Sequence, residues 1–69
     1  MAYEKYYKDF KKYELVRRSG MYNMITEAPA AMKAAKLSDR KYRDIIHKYS
    51  FIKHELEEEY GSIDEYLKK

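Results

Sequence analysis

Apolar side chains recur every three or four positions along most of this chain, and the longest such run decides the architecture. Tyr42, Ile45, Ile46, Tyr49, Ile52, Leu56 and Tyr60 fall on one side of a helix, because residues three and four apart are neighbours on its surface. The ends of this helix are also written in the sequence. Ser38 offers a hydroxyl to the first turn, Leu37 and Tyr42 stand where a hydrophobic staple closes it, and Gly61 supplies a left-handed stop. The pattern predicts a helix over residues 39–60, with everything else packing on its stripe.

A second helix is predicted over residues 2–18. Tyr3, Tyr6, Tyr7, Phe10, Tyr13 and either Val16 or Arg17 share one face, and Glu4, Lys5, Lys8, Asp9, Lys11, Lys12 and Glu14 lie between them. Leu15 falls off the stripe, so the helix frays there or Leu15 meets a second surface. Ser19-Gly20 breaks the segment. Pro29 leaves two paths for the next segment, since its ring clashes with the carbonyl four residues earlier in a continuous helix. Either a helix over residues 26–36 starts at a Thr26 cap and holds Pro29 in its first turn, or a helix from Ser19 kinks at Pro29. Ser62-Ile63-Asp64-Glu65 reads as a capping box opening a last short helix over residues 63–68. The expectation is an all-α fold: one domain over residues 1–69, a small bundle of three main helical segments plus a short C-terminal helical turn.

Composition changes the picture in two ways. Nine of the apolar residues are tyrosines, whose rings bury while their hydroxyls demand a partner, so half-buried positions and interaction surface are expected. The net charge of +3 hides a gradient: residues 1–36 carry +4, residues 37–54 carry +3 and residues 55–69 carry −4. The absence of cysteine removes disulfide and thiolate chemistry and agrees with a reducing cytoplasm. The longest uncharged run, Ser19 to Thr26, is too short to span a bilayer, and no signal-peptide block opens the chain.

Candidate chemistry is sparse. The serines and Thr26 stand in no nucleophile-elbow context, two glycines cannot build a phosphate loop, and His47 and His54 are two helical turns apart, too far to share a metal. No enzymatic activity, cofactor or metal is therefore expected. Two binding readings remain. In the first, Phe51, off the main stripe, anchors a protein partner together with Tyr60 and the acidic residues Glu55, Glu58 and Glu59. In the second, residues 30–48 form a helix-turn-helix unit: Ala31, Ala35, Leu37, Tyr42 and Ile45 occupy its buried positions, and Arg40, Lys41, Arg43, His47 and Lys48 face DNA. Lys36 stands where that motif prefers glycine and Met32 where it prefers alanine. A homodimer is compatible with either reading, because the stripe is long for so small a body.

Three blocks, Glu14 to Ala28, Ala34 to Ser38 and Tyr42 to Ser50, resemble short helical proteins encoded by phages and prophages of low-GC bacteria. The resemblance implies a role for the whole rather than for any residue. Small phage accessory proteins of this kind bind one host protein, as anti-CRISPR inhibitors of host defence do, or act as small transcriptional regulators.

Overall fold

The longest helix, α3, runs Asp39–Tyr60, the limits its caps predict. Ser38 is extended and its Oγ accepts the Lys41 amide at 3.3 Å, and Gly61, at φ +90°, donates its amide to the Glu57 carbonyl. The computed structural model describes residues 2–68. The other elements are a 3-10 turn, Glu4–Tyr6, and three helices, α1 Tyr7–Ser19, α2 Ala28–Ala35 and α4 Ile63–Leu67. Helices α1 and α4 pack on α3, whereas α2 packs chiefly on α1, so the α3 stripe does not receive every element. Among the described residues there is no strand, so the all-α bundle expected from periodicity is what forms.

Helix α3 buries Tyr42, Ile45, Ile52 and Leu56 on one face. The same core holds Tyr7, Phe10 and Tyr13 of α1, Ala31 and Ala35 of α2, and Ile63 of α4. The small alanines let α2 approach closely, while the tyrosines fill the space between α1 and α3 with tilted and edge-on rings. Phe10 meets Tyr49 at 5.2 Å between centroids, and Tyr13 meets Tyr42 at 5.4 Å.

Three local expectations are corrected. The N-terminal segment begins as a 3-10 turn and becomes α-helical only at Tyr7. The path through Pro29 is neither a kinked helix nor a Thr26 cap. Helix α2 follows Glu27, which makes no side-chain cap, and Asn23 closes the turn before it: its side-chain oxygen accepts the amides of Ile25 and Thr26, and Glu27 Oε1 reaches back to the Asn23 amide. This closed turn delivers the chain into α2 with Pro29 second in the helix, where no intrahelical donor is missed. The Tyr42 hydroxyl, buried, donates to the Met24 carbonyl at 2.8 Å and ties the connector to α3. At the far end α4 stops at Leu67, one residue short of the predicted limit.

The turn between α2 and α3 is a Schellman closure. Lys36 donates to Lys33 O, Leu37 donates to Met32 O, and Lys36 takes φ +59°. A side chain in this left-handed region costs about 1–2 kcal/mol, part of which a glycine forfeits through its freer unfolded chain. Lys36→Gly is therefore expected to stabilise the fold by about 0.5–1 kcal/mol, read as a higher urea midpoint at unchanged slope. A midpoint that stays or falls refutes strain at this turn.

Candidate interaction surface on the long helix

Helix α3 has a second face, opposite its core stripe. Arg40, His47, Phe51, His54 and Glu58 are exposed along it, with Asp44 half-buried in the same line. Phe51 is 61% exposed although it is one of only two phenylalanines in the chain. Its ring stacks on that of Tyr3, with centroids 5.9 Å apart and planes 12° apart, so an aromatic pair stands on the surface. His54 Nε2 lies 3.4 Å from Glu58 Oε1 one turn beyond.

The residues predicted for a protein interface do not all share this face. Phe51 and Glu58 do. Glu55 is occupied internally: its Oε1 accepts the Tyr3 amide at 3.0 Å and the Tyr7 hydroxyl at 2.8 Å, so it secures the start of the chain instead of standing in an open acidic ridge. Although desolvation opposes ionisation of Glu55, these two donors win and hold its carboxyl below the usual range. Burial and the Glu55 and Glu59 carboxylates push the Tyr7 hydroxyl far up. Tyr60 is half-buried, its ring 5.0 Å from that of Tyr66, and belongs to the contact between α3 and α4.

The basic set is likewise divided. Arg40, Lys41, Arg43 and His47 are exposed, but Arg43 pairs with Asp39 at 3.2 Å, and Lys48 is half-buried with its ammonium 5.4 Å from the centre of the Tyr6 ring. A groove of about 440 Å³ runs between the starts of α1 and α3. Lys5, Arg40 and Lys41 line it, and so do Asp9 and Asp44, so its field is mixed. At the corner Ala31, Ala35, Leu37, Tyr42 and Ile45 are all buried, but α2 packs chiefly on α1 and only weakly on α3.

One cluster escaped the sequence reading. Glu14, placed among the polar positions of the first helix, is only 1% exposed. Its carboxylate accepts Arg17 Nε and Nη2 at 2.8 Å each, Arg18 Nε at 3.0 Å and the Tyr49 hydroxyl at 2.8 Å. Arg18 also pairs with Asp64 at the start of α4. Desolvation alone raises the Glu14 pKa, but the donors from Arg17, Tyr49 and Arg18 outweigh it and hold the carboxyl below its ordinary value. Burial and Glu14 together push the Tyr49 hydroxyl up to about 12. A carboxylate saturated by donors beside a protonated phenol makes a structural clasp and offers no base or nucleophile. Two signals for it were in the sequence: Glu14 is one turn past Phe10, and arginines follow at its third and fourth positions.

Among the described residues no three His, Cys, Asp or Glu side chains cluster as metal ligands would, and no helix is long and apolar enough to cross a membrane. Comparison with protein-family models, curated proteins and solved structures finds no match to this chain.

Proposed function

We propose that this chain is a non-enzymatic protein-binding module that docks through the outer face of α3. The observation that carries the reading is Phe51: a large aromatic, 61% exposed on a helix, stacked on a second ring and flanked by charged and imidazole side chains. Aromatic anchors surrounded by a polar rim are how protein interfaces concentrate their binding energy. The finer form, an inhibitor of a host defence or nucleic-acid-processing protein, draws its support from the resemblance to small phage proteins. The run Glu57-Glu58-Glu59 at the end of the same helix supplies chemistry suited to a basic groove.

Affinity capture from host extract with the immobilised wild type, Phe51→Asp and Glu58→Arg tests the reading. A protein retained by the wild type should fall at least about tenfold with Phe51→Asp, the loss expected of an interface anchor. Equal retention by a Phe51→Asp protein with unchanged far-UV circular dichroism rejects it.

A DNA-binding role is the second reading, favoured by the burial of Ala31, Ala35, Leu37, Tyr42 and Ile45 at the corner of α2 and α3 and by the exposure of Arg40, Lys41 and Arg43. Its measurement is anisotropy of labelled duplex DNA at low and moderate salt. Phosphate contacts require binding that weakens steeply with salt, and the carboxylates of Asp9 and Asp44 in the same groove act against them.

A further inference from the structure

The outer face of α3 carries an order of its own. Arg40, Asp44, His47, Phe51, His54 and Glu58 follow one another at alternating steps of four and three, the spacing of side chains that form a seam when two helices pack along their length. The seam is polarised, with a cation at its start and a carboxylate at its end. All six positions are exposed or half-exposed. Among the described residues the seam's contacts are the Tyr3 ring at its centre and the His54–Glu58 pair within it, and no helix covers its length.

The polarity selects one arrangement of a second helix. A parallel, in-register copy sets Arg40 on Arg40 and Glu58 on Glu58. An antiparallel copy, with the two-fold axis crossing α3 at the level of Tyr49, reverses this. Arg40 and Glu58 then lie nine residues either side of the axis, Asp44 and His54 five, and His47 and Phe51 two. Each residue meets its complement in the other copy: guanidinium on carboxylate, carboxylate on imidazole, imidazole on phenyl ring. Because a two-fold contact is self-complementary, every pair occurs twice.

We propose that the partner of this face is a second copy of the same chain, packed α3 against α3 in antiparallel orientation. The proposal rests on the reading of this face as a protein interface and names its occupant. Phe51 is the apolar centre of the contact, and the two Arg40–Glu58 pairs set its direction. A foreign protein that uses Phe51 has to compete with the second copy, so the pool of free Phe51 faces falls as the concentration of the chain rises.

Sedimentation velocity from about 10 µM to about 1 mM, at low salt, reads the association directly. The wild type should pass from monomer to dimer. Arg40→Glu and Glu58→Arg should each raise the dissociation constant at least about tenfold, because each brings like charges together twice. An equimolar mixture of the two single variants should form a mixed dimer, since its opposed charges are again opposite, and the double variant should dimerise alone. Both substitutions are at exposed positions, and circular dichroism checks that the fold persists.

A wild type that stays monomeric at about 1 mM, a dimer indifferent to either reversal, or a mixture no tighter than its components overturns the proposal. The interface reading fails separately. A monomeric wild type that still retains a protein through Phe51 overturns only the second copy, whereas a monomer whose retention ignores Phe51 overturns both.

Discussion

Glu14→Ala is expected to lower the stability of this protein by about 3 kcal/mol, a large share of what a domain of this size possesses. The carboxylate is buried at 1% exposure, and four donor contacts from Arg17, Arg18 and Tyr49 converge on it. Removing it leaves the Tyr49 hydroxyl without its acceptor and Arg17 without its counter-ion, while Arg18 keeps only Asp64. Breaking a buried pair costs about 3–5 kcal/mol in general, and the lower end applies here because both guanidinium groups remain partly in water. The melting temperature should therefore drop by more than about 12 °C. A drop of only a few degrees means that the cluster is solvated and contributes little.

The same group sets the acid limb. The folded pKa of Glu14 lies below its ordinary value of 4.5. Its contribution is then fully present above that ordinary value and is lost as pH falls through the folded pKa. Glu55 is depressed too and acts with the same sign. Wild-type stability should fall as pH drops below the ordinary carboxylate range, and Glu14→Gln should flatten that fall without abolishing it. Equal slopes for the two proteins assign the acid limb to other carboxylates.

Glu14 also shows where sequence reasoning reaches its limit. Its position, one turn past Phe10 and two past Tyr7, was on the apolar stripe by period alone. Residue type argued the other way, because a glutamate is rarely buried unless paired. Two of its partners were visible as the following arginines, but the third, Tyr49, comes from 35 residues away and is supplied only by the packing of α1 on α3. Helix α3 was legible end to end because everything that defines it is local: a serine hydroxyl, an apolar period and a glycine at positive φ. The connector was legible only in outline. Asn23 and Glu27 close it reciprocally, four residues apart, and Thr26 competed for the same role in the sequence. For the candidate surface, the exposure of Phe51 followed from its place off the stripe. The engagement of Glu55 did not, since the amide of Tyr3 and the hydroxyl of Tyr7 reach it from the other end of the chain.

The second large effect is expected at Phe10, which is completely buried between α1 and α3. Truncation of a buried phenylalanine to alanine costs about 3–5 kcal/mol, from lost transfer energy and from the cavity left behind. In a core this thin the cost approaches the whole stability, so Phe10→Ala should be largely unfolded at 25 °C by circular dichroism. The less severe Phe10→Leu keeps the protein folded and gives the sharper test. The Phe10 ring packs 5.2 Å from that of Tyr49, and the Tyr49 hydroxyl donates to Glu14, so the apolar contact and the buried carboxylate share one side chain. If Phe10 holds Tyr49 in the position from which it reaches Glu14, the costs of Phe10→Leu and Glu14→Gln should not add. Their double-mutant cycle should give a coupling above about 0.5 kcal/mol, whereas independent sites agree to within about 0.3–0.5 kcal/mol. Additive costs would mean that Tyr49 keeps its place without Phe10. Tyr13, whose ring also meets that of Tyr49 with centroids 5.9 Å apart, would then be the side chain of α1 that holds Tyr49 toward Glu14.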